Sequence, residues 1–477
     1  MKIQLSDHFT YGRLLRFTLP SIVMMIFTSI YGVVDGFFIS NYVGKTPFAA
    51  VNFIMPFLMI LGALGFMFGT GGSALVAMTV GEGDRKRANR IFSLLIYVSL
   101  ACGVCIAILG VLFVRPVAAL LGAEGMLLEN CVLYGRIILA AIPAFMLQME
   151  FQSFFVAAEK PQLGLMVTVA SGVANMVLDA LFVAGFRWGI PGAAAATAVS
   201  QVVGGVIPLI YFLRPNHSLL QLTKTKFDGR VLLKTCTNGS SELMSNISMS
   251  LVGMLYNVQL MKYTGEDGVA AYGVLMYVSM IFMAAFIGYS VGAAPVVSYH
   301  YGAGNKGELR GLLRRSLVLV GLFSVGMVVL GECLAKPLSR IFVGYDTGLL
   351  ELTLRGFAIY SFSFLFAGLA IYGSSFFTAL NNGLISALIS FLRTLVFQIA
   401  AVLIFPVIWD VDGIWFSILA AELMAALVTA LFLTGMRKKY HYGREWQSRG
   451  AVVNRAWQKQ CPLFIFWTLC SIINLKC

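Results

Sequence analysis

Apolar residues run along this chain in long blocks separated by short polar breaks, and the blocks lack the two-residue alternation of strands. A helix rises 1.5 Å per residue, so about 20 residues cross the roughly 30 Å of hydrocarbon in a bilayer. The pattern predicts twelve such helices, over 14–38, 51–80, 91–114, 131–158, 163–186, 190–213, 235–261, 269–300, 314–335, 352–380, 384–408 and 412–436. The fold class is therefore an all-α polytopic membrane protein. The first block has no small-residue cleavage site and continues into a polar-interrupted helix carrying Asp35, so it reads as an uncleaved anchor with the mature chain starting near Met1.

A second regularity appears when the sequence is slid against itself by 221 residues. Gly44 then meets Gly265, Ala49-Ala50 meet Ala270-Ala271, Gly81 and Gly83 meet Gly302 and Gly304, Pro116 meets Pro337, Gly135 meets Gly356, and Gly192 meets Gly413. Each copy holds six helices, an even number, so both insert the same way and are related by an axis along the membrane normal. The expected architecture is two pseudo-symmetric six-helix bundles around a central cleft: 1–213, a basic linker 214–234, 235–437, and a tail 438–477.

Composition agrees with a bilayer as solvent, since 59% of residues are hydrophobic and only 12% charged. The net charge of +13 raises a nucleic-acid partner, which its distribution excludes. With the N-terminus in the cytoplasm, 25 of the 34 Lys and Arg fall in inner segments, clustered at Arg85–Arg90, Lys224–Lys234, Lys306–Arg315 and beyond Arg437. That is the positive-inside bias. It places both termini in the cytoplasm and the protein in the plasma (inner) membrane. The eight cysteines are scattered without accompanying ligands, so they read as small apolar packing residues. The apolar stretch 461–477 holds about 14 apolar residues, too short to span.

Five acids interrupt the apolar blocks: Asp35, Glu150, Asp179, Glu242 and Glu422. A carboxylate at bilayer depth costs about 2.5–3.5 kcal/mol on insertion scales, so such residues mark an ion or substrate path. From the topology, Asp35 lies roughly 6 Å and Asp179 roughly 10 Å below the outer helix ends, and Thr197 roughly 10 Å below the start of its helix. Asn175 and Asp179 are four apart and share a helix face, as do Tyr31 and Asp35. These hard oxygen groups suit a proton or sodium ion rather than a transition metal. The competing account is a hydrogen-bonded network that only fixes packing. At the repeat positions of Asp35 and Asp179 stand Tyr256 and Ala400, so the second half lacks this cluster. Arg393 and Glu422, both mid-helix, are expected to form a structural ion pair rather than a substrate contact. Glu150, with Gln148 and Gln152, gives helix 4 a polar strip that serves either to line a cavity or to bond neighbouring helices.

The segment around Pro20 and Asp35, GEGDR at 81–85 with its echo GAGNK at 302–306, GIPGAAAATAVSQ at 189–201, and the paired halves together resemble the multidrug and toxic compound extrusion (MATE) family over roughly residues 10–437. In one branch, that resemblance implies a cation-coupling site at Asp35, Asn175, Asp179, Thr197 and Tyr134, and a bend of helix 1 at Pro20. Independently, an internal proline removes a backbone hydrogen bond and favours a hinge. Glu242 on helix 7 resembles an acid used by other branches, although helix 10 here has none between Arg355 and Asn381.

The expected function is antiport: an H+ or Na+ ion, the latter held by Asp35, Asn175, Asp179 and Thr197, exchanged for an organic and chiefly cationic compound. The 22 Met and 61 aromatic residues supply a soft wall for flat cations. No cofactor is expected, and the chain is expected to act as a monomer in the lipid bilayer. Rival readings are a flippase for lipid-linked saccharides, which needs a basic cleft although Arg393 is the one intramembrane cation, and a two-bundle carrier of the major facilitator type. A membrane enzyme is disfavoured because His8, His217, His300 and His441 lie far apart near helix ends.

Overall fold

The computed structural model describes residues 3–344 and 346–442, with residues 45, 266, 341 and 342 described by backbone alone. The apolar stretch 461–477 and all of the tail past residue 442 lie outside the described residues. In chain order the helices are α1 (Tyr11–Phe38), α2 (Lys45–Gly81), α3 (Arg85–Leu120), α4 (Gly125–Ala157), α5 (Pro161–Asp179), α6 (Ile190–Leu213), α7 (Gly229–Thr264), α8 (Glu266–Gly302), α9 (Lys306–Val343), α10 (Thr347–Tyr360), α11 (Phe364–Ala379), α12 (Gly383–Phe391) and α13 (Phe397–Gly435). Short π-helical turns extend three of them, at Ile39–Val43 after α1, Ala180–Gly185 after α5 and Leu392–Val396 between α12 and α13. A 3-10 turn, Ser361–Ser363, joins α10 to α11 into one rod.

Ten stretches are long and apolar enough to cross a membrane, and two features bring the crossings to twelve. The stretch Gly383–Gly435 has 53 residues, about 80 Å of helix, and it breaks at Trp409 (φ −127°, ψ 21°) and Asp410 (φ 47°, ψ −127°) into two crossings. Helix α7 has 36 residues but is rich in Ser, Thr and Asn. Its polar side chains fold back on their own helix, Ser245 onto the Ser241 carbonyl, Asn246 onto that of Glu242 and Ser250 onto that of Asn246, which hides them from hydrocarbon.

The repeat seen in sequence is built into the contacts. In GEGDR and GAGNK, Gly83 (φ 88°) and Gly304 (φ 67°) take the left-handed turn that ends α2 and α8. Asp84 and Asn305 then cap α3 and α9, accepting from the backbone N–H of Arg87 and Glu308. The halves meet through α1 on α8 and α2 on both α7 and α8. At the meeting point of α2 and α8, a Cβ on Gly81 would lie 2.1 Å from the Tyr299 carbonyl oxygen, and one on Gly302 would lie 2.1 Å from that of Met78. Gly81 and Met78 are the repeat mates of Gly302 and Tyr299, so this contact sits on the pseudo-two-fold axis. The Gly71–Gly239 contact is likewise mirrored by Gly292 against Thr18. Every described glycine whose added Cβ would meet the opposite half lies in the half of its helix nearer the N-terminal side, whereas Gly32, Gly253 and Gly273, toward the other side, have no neighbour within 4 Å. The halves are thus sealed on the N-terminal side.

A strap reinforces that seal. Ahead of α1, the Leu5 N–H donates to Glu159 Oε1 (2.7 Å) at the α4–α5 turn of the first half. Four residues later, the Phe9 N–H donates to Glu308 Oε1 (3.0 Å) and His8 Nδ1 contacts Glu308 Oε2 (2.6 Å) on α9 of the second half. Arg315 also donates to Glu308 (3.0 Å), and Leu5 and Phe9 are fully buried. Nothing in hydropathy signals this segment, because it is short and irregular.

Candidate cation and substrate site

In the first half, α1, α4, α5 and α6 converge on one buried polar group. Asp35 sits in the last turn of α1, Asp179 ends α5, and both are buried with Asn175. Thr197 on α6 joins them: its hydroxyl donates to Asp35 Oδ1 (3.4 Å) and accepts from Asn175 Nδ2 (3.5 Å). The carboxyl groups of Asp35 and Asp179 are close neighbours, with no hydrogen bond between them. Two carboxyl groups hold that arrangement with a proton or a cation between them. Tyr134, fully buried on α4, brings its hydroxyl toward Thr197 without closing a hydrogen bond.

Packing fixes these positions. Tyr31, one turn before Asp35, lays its ring against Gly172 of α5, where a Cβ would come within 2.9 Å of it, and turns its hydroxyl toward Gln148. Gln148 donates to Ser171 (3.3 Å), which donates to the Ser200 carbonyl (2.7 Å), tying α4, α5 and α6 beneath the acids. Both acids also adjoin a π turn, Asp179 immediately before one and Asp35 four residues before another. Such turns recur at functional sites because they re-aim side chains that a regular helix holds elsewhere.

The group is short of donors. Both oxygens of Asp179, Oδ1 of Asn175 and the Tyr134 hydroxyl are buried without a hydrogen-bond partner. Buried polar atoms are nearly always partnered, so four adjacent oxygens without a protein donor mark this cluster as the candidate functional site.

The other sequence candidates lie apart. Pro20 is buried within α1, which runs helically through it in this conformation. Glu150 on α4 is fully buried beside Ser99 of α3, with neither oxygen bonded. Gln152 borders a cavity of about 10 Å³ between α4, α5 and α6, room for one water. In the second half Arg393 pairs with Glu422 (2.8 Å), as the cost of an unpaired intramembrane charge requires. Glu242 on α7 lies within range of the Arg393 charge. Tyr256, at the repeat position of Asp35, donates to Gln398 (2.7 Å) and stacks on Tyr272.

The MatE family model matches twice, over residues 20–181 and 243–404, one copy in each half. The chain belongs to the MatE family. This family comprises transporters, not enzymes. Curated MatE relatives include a protein named Multidrug export protein MepA from Staphylococcus saprophyticus, 25% identical over 433 residues that cover 89% of this chain and 94% of the relative. A MepA from Staphylococcus aureus strain MRSA252 is 23% identical over 436 residues, covering 90% and 94%. Among solved structures, a MATE protein in complex with MaL6 superposes with a TM-score of 0.86 at 21% identity, covering 91% of this chain and 97% of the other. An outward-facing MATE family multidrug resistance transporter superposes with a TM-score of 0.85 at 21% identity and the same coverage. These superpositions bear out the paired six-helix MatE fold.

Proposed function

We propose that this MatE protein is an antiporter that takes up H+ or Na+ at Asp35, Asn175, Asp179 and Thr197 and exports organic, chiefly cationic compounds by alternating access. The observation that carries the reading is the convergence of unpartnered oxygens on the Asp35–Asp179 pair in the first half alone. The names of the MepA relatives, multidrug export proteins, support export of organic compounds, and the positive-inside charge pattern supports a cytoplasmic sealed face and hence an outward-open conformation.

Coupling then follows from electrostatics. An ion arriving from outside neutralises the acid pair, weakens the cleft for a positively charged compound and releases it; the halves rock, and the ion leaves to the cytoplasm. One proton entering supplies about 1.4 kcal/mol per pH unit, and exchange for one monovalent cation cancels the electrical part, leaving about tenfold accumulation per pH unit. Steeper extrusion calls for a second coupling ion. In proteoliposomes with proton and sodium gradients imposed separately, dye efflux should follow one of them in the wild type and neither in Asp179→Asn. Efflux indifferent to both gradients in the wild type refutes antiport.

A further inference from the structure

Glu150 of α4 belongs to neither the Asp35–Asp179 group nor the Arg393–Glu422 pair. It is fully buried, about 10 Å inside the sealed-side end of its helix, and both of its oxygens lack a hydrogen-bond partner. The polar group beside it, Ser99 of α3, is buried with its own hydroxyl unpartnered. No counter-charge offsets the acid. Helix α6 carries no charged side chain, and α2 carries only Lys45, at its opposite end. Near Ser99, α3 offers the exposed Tyr97 phenol and the Cys102 thiol, with its arginines and Lys86 toward the two ends. Helices α5 and α8 hold their charges at their ends, and Arg230 and Lys234 of α7 are exposed. An ionised carboxylate without partners is prohibitive at this depth, so the sealed conformation holds Glu150 as the neutral acid.

What shuts Glu150 in comes partly from the other half. Leu95 and Phe154 lie one turn from Ser99 and Glu150, on the same helix faces, and close the sealed-side end of the gap between α3 and α4. They meet at Gly72 of α2, where an added Cβ would lie 2.5 Å from Leu95 Cδ1, 3.1 Å from Phe154 Cζ and 3.7 Å from Thr235 Cγ2. Thr235 belongs to α7 of the second half and is fully buried with its hydroxyl unpartnered. Val231 and Leu232, beside it on α7, pack on the same apolar cluster as Leu95 and Phe154. The adjoining contact of Gly71 with Gly239 puts this closure on the seam itself. Parting the halves therefore withdraws one wall of the enclosure and opens a way for water to Glu150.

We propose that Glu150 is a proton-binding site in equilibrium with the cytoplasm: docking the halves takes up one proton on its carboxylate, and parting them returns that proton to cytoplasmic water. This goes beyond the export reading and uses from it only the assignment of sides. The step breaks one O–H bond of the carboxyl, passes the proton to water and changes no other bond. Its sign follows directly. A wet glutamate ionises above about pH 4.3, whereas the sealed form keeps its proton, so low cytoplasmic pH favours the sealed state. Each pH unit gained above that value costs the sealed state about tenfold against the unsealed one. Where the coupling ion is H+, exchange acidifies the cytoplasm and the site acts as a brake on further cycles.

The test is the sealed-to-unsealed ratio of the full chain in nanodiscs between about pH 6 and pH 8, read by spin labels at positions 82 and 306 in a background without native cysteines. Asp35→Asn and Asp179→Asn are included so that the cation site does not titrate. The ratio should fall about hundredfold across this range. Glu150→Gln and Glu150→Met, each checked by its melting temperature, should remove that fall and leave only the contribution of His8, His300 and Glu308 at the strap, which is common to all the proteins compared. Glu150→Asp keeps an acid and should keep the fall. A ratio that does not change with pH when Glu150 is present, or a fall that Glu150→Gln and Glu150→Met both retain, overturns the proposal. Dye efflux indifferent to both ion gradients in the wild type sinks antiport alone and leaves this inference standing.

Discussion

Gly302→Ala offers the sharpest probe of the sealed face. The added Cβ would stand 2.1 Å from the Met78 carbonyl oxygen, whereas ordinary contact begins near 3.4 Å, so α2 and α8 must part by about 1.3 Å. The obstacle is backbone and has no rotamer to yield. Overpacking of this kind costs about 1–3 kcal/mol. It acts only in the conformation where the halves touch, so the ratio of sealed to unsealed molecules should fall by about 5- to 150-fold. Spin labels at the exposed positions Glu82 and Lys306, in a background without native cysteines, would read this as growth of a long-distance population. Because Gly81 is the repeat mate across the axis, Gly81→Ala should produce the same shift. A folded Gly302→Ala protein with an unaltered distance distribution, or mates that shift oppositely, would refute the reasoning.

Three further outcomes are expected. Asp35→Asn removes half of the acid pair yet loses only a long hydrogen bond from Thr197 (3.4 Å), so it should fold normally while its dye accumulation ratio falls from about tenfold per pH unit toward one in proteoliposomes; full gradient-driven efflux would contradict the assignment. Glu308→Gln weakens the contacts to Phe9, His8 and Arg315 together and should lower stability by about 2–3 kcal/mol, with faster proteolysis within residues 3–10; unchanged digestion would show that the strap does not hold the seal. Asp410, exposed at φ 47°, is strained, so Asp410→Gly should raise the melting temperature by an amount worth about 1 kcal/mol, and a lowered one would mean that the side chain holds the kink.

Much of this architecture was legible from periodicity, because in a bilayer the length of an apolar block directly sets a crossing. The repeat offset was legible for a physical reason too: Gly81 and Gly302 sit where no side chain fits, and Gly83 and Gly304 where the backbone turns left-handed. Depth arithmetic likewise put Asp35, Asp179 and Thr197 in one stratum. What periodicity could not convey was irregular geometry. A π turn leaves no mark in hydropathy, so the turns beside Asp35 and Asp179 and around Arg393 were invisible, although the Arg393–Glu422 ion pair was legible from two charges at mid-helix. The strap escaped notice because its partners, Glu159 and Glu308, are 154 and 300 residues from Leu5 and His8. Glu150, expected to line a cavity or to join a neighbouring helix, lies beside Ser99 on the neighbouring α3, a choice that depends on how α4 is rotated and not on which residues it carries.

The glycine seam between α2 and α8 has a thermodynamic corollary. Because main chain rests on main chain at these glycines, parting them liberates few rotamers and redocking freezes few, so part of the entropy that usually biases a protein interface toward separation is missing. Two states joined by such a bearing can lie close in free energy, and the arrival of one small ion is then enough to tip the balance.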